Sequence, residues 1–266
     1  MAKLTTHFGL TKVPFSKDVP DLFRYPQLEQ LQEILELAIE TDSGALITGQ
    51  AGTGKTTAVR NALEALPANR YRIVYLGYDQ RGSTMFARLG VELGLRANIS
   101  RNQRLLQLKE HIQRSVSSTG KRLVLVIDEA HLLEGTALED IRLLTNSEMD
   151  RRCDVVLIML GQLWLRSRLK SQGHEALYQR LRFRFGLEGL TKQQTKEYMQ
   201  HHLKIVSGDV AIFTDGALRQ VFQASGGILR EINNLAVDCL FNACNRGKER
   251  VDEGLVQLVL DQRDSA

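Results

Sequence analysis

The sequence predicts an α/β chain: a three-layer core built on a parallel sheet, followed by a small all-α subdomain. Three observations lead there. Gly49-Gln50-Ala51-Gly52-Thr53-Gly54-Lys55-Thr56 is a complete G-x-x-x-x-G-K-S/T phosphate loop, set between a short apolar run and a helical stretch. Residues 123–127 and 155–160 are continuously apolar, as strands buried on both faces are. After Leu190 the strand-like runs stop and only helical periodicity remains. Strands alternating with helices, then helices alone, divide the chain into residues 1–189, an N-terminal strap plus nucleotide-binding α/β domain, and residues 190–266, a helical lid.

Taken in order, the strap around Phe8-Gly9-Leu10, Pro14-Phe15 and Leu22-Phe23-Arg24-Tyr25 reads as irregular and aromatic-rich. Leu28, Leu31, Ile34, Leu35 and Ala38 repeat at helical spacing. Ala45-Leu46-Ile47-Thr48 is a buried strand, and residues 56–66 are a helix whose N-terminus favours phosphate. Residues 72–76 form a strand, with helical stretches around 84–93 and 102–115. The runs 123–127 and 155–160 follow as strands, and residues 183–187 as an edge strand. The lid is expected to hold helices over 191–206, 214–224, 228–245 and 254–262, with Thr191 and Thr214 as N-caps and Gly226-Gly227 and Gly247 as breaks.

At 266 residues, 43% hydrophobic and 25% charged, the chain has ordinary globular proportions. No stretch approaches the length of a membrane span, and the N-terminus lacks the apolar block of a signal peptide, so no membrane association and a cytoplasmic location are expected. The unpaired spacing of Cys153, Cys239 and Cys244 reads as reduced thiols. The net charge of +4 says little by itself. Its distribution says more: Arg81, Arg88, Arg96, Arg101, Arg104, Lys109, Arg114, Lys121 and Arg122 face only Glu92 and Glu110 over residues 81–122. Such a segment is either a solvated helical face or a phosphate-facing surface.

The motifs point to nucleotide hydrolysis. The loop glycines turn backbone N–H groups toward phosphates, Lys55 reaches the β/γ-phosphates, and the Thr56 hydroxyl suits Mg²⁺. Thr57 extends the loop's polar end. Asp128 directly follows the 123–127 strand, where a carboxylate can hold Mg²⁺, and Glu129 is placed to polarise the attacking water. Gln162, ending the next strand, can contact the γ-phosphate or that water. Arg180, Arg182 and Arg184 alternate, so as a strand they would share one face. An arginine so late in the α/β domain can reach a neighbouring subunit's nucleotide; Arg180 is the preferred finger, with Arg182 and Arg184 next. Arg230 follows Gly226-Gly227 and opens a lid helix that could close onto the phosphates.

This ordered set of phosphate loop, Asp-Glu, polar strand end, late arginine and Gly-x-x-Arg resembles the AAA+ ATPases over nearly the whole chain. More narrowly it looks like the branch containing the bacterial secretion ATPase ExeA and the transposition regulators TniB and TnsC, and most like the TniB/TnsC type. The matching residues are Phe8-Gly9-Leu10, Pro14-Phe15, Thr48 through Thr56, Ile127-Asp128-Glu129-Ala130-His131, Leu160-Gly161-Gln162 and Gln179-Arg180. The resemblance implies an AAA+ core with ATP and Mg²⁺ as cofactors, and a strap near the adenine. It departs at Gln162, where AAA+ proteins commonly carry asparagine.

Within that branch the secretion ATPases carry a membrane segment and a wall-binding part beyond the ATPase, and this sequence shows neither. The regulators it resembles assemble on double-stranded DNA as hexameric rings or helical filaments and hand a target to a transposase, with a target-selection protein as a further partner. The expectation is therefore an ATP-dependent DNA-binding regulator of transposition, a homo-oligomer with nucleotide at subunit interfaces. Arg81, Arg101 and Arg104, in loops or helix starts after the second strand, are the expected DNA contacts. The alternatives are a secretion-assembly ATPase acting on protein partners and, from the phosphate loop alone, a small-molecule kinase.

Overall fold

Apolar runs that must be buried on both faces need helices above and below them, and the chain supplies those helices between the runs. A computed structural model describes residues 2–16, 21–78, 85–95, 100–146, 154–171 and 173–265. In chain order, α1 is Ala2–Phe8, α2 Pro26–Glu40, β1 Ala45–Gly49, α3 Lys55–Glu64, β2 Tyr71–Leu76, α4 Met85–Glu92 and α5 Arg101–Thr119. Then come β3 Arg122–Ile127, α6 Gly135–Leu144, β4 Val155–Gly161, α7 Trp164–Lys170, α8 Glu175–Arg180 and β5 Phe183–Leu187. The last helices are α9 Lys192–Ile205, α10 Asp215–Ser225, α11 Leu229–Asn245 and α12 Glu253–Asp264.

Contacts divide the chain into two units: residues 26–49 with 55–187, and residues 1–25 with 50–54 and 188–266. In the first, five parallel strands lie in the order β2-β3-β4-β1-β5. Strands β1 and β4 are buried throughout, and β3 in all but its first residue, which is why their sequences read as unbroken apolar runs. The edge strands β2 and β5 alternate between covered and exposed positions. Register aligns the strand ends: Thr48 faces Gly161, Ile127 faces Met159, and Leu76 faces Ile127. Gly49, Asp128 and Gln162 therefore leave the sheet at one carboxyl edge, where open parallel sheets bind ligands. Leu89, Leu108, Leu125, Leu138, Ile141, Met159 and Leu165 lie in the core beneath them.

The second unit is helical. Thr191 and Thr214 cap α9 and α10 as expected, accepting from Gln194 and Ala217 N–H, and Gln194 completes a capping box. Gly227 has φ +77°, and a Cβ there would lie 2.0 Å from the Leu190 carbonyl oxygen, so only glycine fits this crossing. The N-terminal strap, expected with the α/β domain, groups with these helices instead. Phe15 stacks on His202 of α9, Phe23 meets Tyr198, and the Thr11 N–H donates to the Val206 carbonyl. The strap also begins with a helix, α1, that its sequence did not announce. Among the described residues no helix is long and apolar enough to cross a membrane.

Candidate functional site

The phosphate loop leaves an interior strand, since β1 lies between β4 and β5. Lys55 is the first residue of α3 and is buried, and its Nζ donates to the Gly49 carbonyl at 3.0 Å. That bond holds the ammonium inside the curve of the loop, where phosphates are cradled. Within the loop, the Thr53 hydroxyl donates to the Gln50 carbonyl at 3.0 Å. Thr56 and Thr57 stand exposed on the first turn of α3, while Gln50 and Ala51 form the exposed outer bend.

Asp128 sits one residue beyond β3 and is 4% exposed. Its Oδ2 accepts from the Thr56 hydroxyl and from the Tyr75 hydroxyl, each at 2.6 Å, and its Oδ1 accepts the Glu129 N–H at 2.7 Å. A buried carboxylate and a hydroxyl in contact, with no ion pair to Asp128 among the described residues, are hard oxygen donors suited to a divalent cation. Thr56 and Asp128 fit Mg²⁺ and would hold it, and the metal would supply neutralising charge to bound phosphates. Tyr75 was not singled out from the sequence. Only the β2–β3 register, with Tyr75 beside Val126, brings its phenol to Asp128. Burial, then the hydrogen bond to Asp128 and the charge of that carboxylate, push the Tyr75 pKa up, so it remains a protonated donor.

Glu129 adopts a left-handed backbone, φ 51°, a conformation that costs a non-glycine residue free energy and recurs at functional sites. The turn lifts its side chain off the strand and leaves it half exposed. His131 lies beneath it, 2% exposed. The Gln162 N–H donates to His131 Nδ1 at 3.3 Å, which assigns the imidazole proton to Nε2, 3.5 Å from Glu129 Oε2. Burial lowers the His131 pKa and Lys55 adds to that, against the pull of Glu129 and Asp128, so the ring is neutral. Trp164 packs edge-on against it at 5.2 Å, and Arg168 donates to the His131 carbonyl at 2.9 Å. One histidine thus links the Glu129 carboxylate to the end of β4. What the structure shows of Gln162 is its backbone N–H on His131, whereas its expected contact with the γ-phosphate or the attacking water concerns the side chain.

In the helical unit, the Arg230 N–H donates to the Gly52 carbonyl at 3.1 Å. A Cβ on Gly52, φ +86°, would lie 2.8 Å from Arg230 Cβ. This glycine therefore serves both the turn and the approach of α11. The exposed Arg230 side chain starts beside the loop, as a phosphate-reaching residue must.

The late arginines do not share a face. Buried Leu177 and Leu181, four apart, continue the helical spacing, so α8 runs through Arg180 and only Arg184 lies in a strand. Arg180 donates to the Thr145 carbonyl at 2.8 Å and to Asn146 Oδ1. Its own carbonyl receives the Gly44 N–H, placing it at the amino edge of the sheet. Five residues of β-strand separate that edge from Gly49, roughly 16 Å. Of the expected DNA contacts, Arg81 lies outside the described residues. Arg101 is exposed but paired, its Nε and Nη2 donating to Asp140 at 2.8 and 2.7 Å, because the buried Asp140 needs a counter-charge. Arg104 is half-buried one turn further along α5.

Residues 39–169 match the family described as AAA domain. The chain carries an AAA domain. This module is an ATPase that binds ATP with Mg²⁺, on the AAA+ phosphate-loop fold. The chain is 31% identical over 260 residues to general secretion pathway protein A of Aeromonas hydrophila, covering 96% of this chain and 47% of that protein. It thus spans about half the length of this relative. Among solved structures it is similar to the Aeropyrum pernix ORC2 protein (TM-score 0.69, 14% identity, 93% of this chain and 70% of that one). It is likewise similar to a chain of Drosophila ORC bound to DNA (TM-score 0.64, 18% identity, 99% of this chain and 66% of that one). At these identities the solved structures speak for the fold.

Proposed function

We propose that this protein is an ATP-dependent regulator of transposition that oligomerises on double-stranded DNA, as a hexameric ring or helical filament, and recruits or activates a transposase. The carrying observation is the bond from Arg230 N–H to the Gly52 carbonyl. Loop residues 50–54 pack with the helical unit, so phosphates entering the loop change what α11 rests on. A phosphate-binding loop that packs against α11 within its own unit suits a switch better than a phosphate donor. Lys55, Gly49 through Thr57 and Arg230 bind the nucleotide, Thr56 and Asp128 hold Mg²⁺, Glu129 activates water beside Gln162, and Arg180 acts on the neighbouring subunit's nucleotide. The TniB/TnsC resemblance supports DNA as the partner, and one structure sharing the fold is of Drosophila ORC bound to DNA. The location is cytoplasmic, and a target-selection protein acts upstream.

The test is co-sedimentation with duplex DNA in ATP, ADP and no nucleotide at low salt. ATP-dependent retention that falls with salt is expected, whereas protein that ignores DNA in every nucleotide state overturns the reading. A second reading, a secretion-assembly ATPase acting on proteins, is favoured by the 31% identity to the Aeromonas protein across 96% of this chain. Nucleotide-dependent assembly without DNA affinity would select it.

A further inference from the structure

Two stretches of this chain are rich in cations, and the structure treats them differently. In residues 100–122, Arg101 pairs with Asp140, Arg114 with Glu110 and Arg122 with Asp42. In residues 164–184 the sequence places Arg166, Arg168, Lys170, Arg180, Arg182 and Arg184 against Glu175 as the sole acid. Among the described residues, Arg166, Lys170, Arg182 and Arg184 form no ion pair, and all four are exposed.

Two of them converge on one ring: the Lys170 ammonium lies 5.7 Å from the Tyr178 ring centroid, and the Arg184 guanidinium lies 3.9 Å from it, with Arg166 one helical turn before Lys170 on α7. Arg184 is anchored by a 3.0 Å bond to the Tyr178 carbonyl, and Arg182 extends the row with its guanidinium 5.4 Å from the Phe183 ring. Burial pushes the Tyr178 phenol up. The nearby cations Arg166, Arg184 and Lys170 outweigh that, leaving its pKa below the ordinary value. Arg166 and Lys170 also stand four apart on α7, a spacing at which like charges destabilise a helix. Cation–π contacts hold the groups in place without neutralising them. An arrangement that keeps repelling cations together on an aromatic platform is relieved by polyanion.

We propose that α7, α8 and the edge strand β5 form a nucleic-acid surface in which Arg166, Lys170, Arg182 and Arg184, set around Tyr178, bind the phosphodiester backbone without regard to sequence. This rests on the DNA-binding reading above and moves its contacts away from Arg101 and Arg104. Aromatic interleaving and the row of exposed guanidinium groups favour nucleic acid over the acidic face of a second copy. Phosphate neutralisation supplies sequence-independent affinity, and each phosphate contact contributes about 0.9 to the slope of log affinity against log salt.

The experiment is fluorescence anisotropy of ATP-loaded full-length protein on a mixed-sequence duplex of about 30 base pairs across a salt series. The Arg166→Ala/Lys170→Ala/Arg184→Ala variant is expected to bind at least about tenfold more weakly at low salt, with a slope reduced by about 2–3. Arg114→Ala, which removes a cation already paired with Glu110, is expected to match wild type. Nucleotide affinity and the melting temperature of the triple variant check that it is folded. Wild type that binds DNA alongside an unchanged triple variant overturns this surface and leaves the DNA reading intact. Wild type that does not bind overturns both. A triple variant whose assembly without DNA, followed by sedimentation velocity, differs from wild type marks a contact between copies and also overturns the proposal.

Discussion

His131 Nε2 faces Glu129 Oε2 at 3.5 Å while His131 Nδ1 accepts the backbone N–H of Gln162. Glu129 sits in a strained left-handed turn with a half-exposed side chain, so if it activates a water this neutral imidazole is the neighbour placed to orient it. His131→Phe, which keeps the ring's bulk and removes its proton, should lower the kcat for ATP hydrolysis about 10–100-fold with KM within about twofold. His131→Gln, which can still donate, should recover part of that rate. In a Glu129→Gln background the His131 substitution should add nothing, because the group it orients has gone. Steady-state kinetics of the four proteins decide it, and additive losses would make His131 a packing residue only.

Tyr75 reaches the same Asp128 oxygen as Thr56. Outer hydrogen bonds of this kind orient a metal-binding carboxylate. Tyr75→Phe should raise the Mg²⁺ concentration for half-maximal hydrolysis about tenfold, with metal-free ADP binding unchanged. Chelating Mg²⁺ should stop turnover in both proteins. A magnesium titration at fixed ATP measures the shift, and coincident curves would leave Tyr75 no part in holding the metal.

Arg180 lies at the amino edge of the sheet, roughly 16 Å along β1 from its own phosphate loop, so any contact with a γ-phosphate is made on a neighbouring subunit. Lys55→Ala should abolish nucleotide binding, and Arg180→Ala should bind ATP normally but hydrolyse it at least about 100-fold more slowly when assembled. Mixed together, the two inactive proteins should regain part of the activity, since an Arg180→Ala loop can then meet an intact arginine. No recovery in an assembled mixture would remove Arg180 as the finger.

What the sequence revealed depended on how local the cause was. Strands β1, β3 and β4 were legible because burial on both faces writes itself as an apolar run, and Thr191 and Thr214 because capping acts within four residues. The grouping of Lys55, Thr56, Asp128 and Glu129 was legible because the motifs follow strand ends that the register aligns. Partners chosen across the fold were not. Nothing near Arg101 indicates that Asp140, on another helix, would take its guanidinium. Nor does the spacing of Lys170 and Arg184 show that Tyr178 would gather them. The alternation of Arg180, Arg182 and Arg184 left open whether they share a face; the buried pair Leu177 and Leu181 puts Arg180 in a helix, with the strand beginning at Phe183 as expected.

His202 makes the helical unit sensitive to acid. It is 7% exposed, packed against the rings of Phe15 and Tyr198, and its Nδ1 has no hydrogen-bond partner among the described residues. Burial, with the charge of neighbouring His201 adding, lowers its pKa to about 4. The unfolded chain titrates this histidine near 6.5, so between these values the unfolded state binds more protons than the folded one. Stability therefore falls as pH drops through that window, and the histidine makes no pH-dependent contribution well above it. The expected loss from this group is about 2 kcal/mol between pH 7 and pH 5. His202→Leu, which cannot take up the proton, should flatten the pH dependence by about that amount in urea unfolding at the two pH values. Equal losses in wild type and variant would assign the acid sensitivity to other groups.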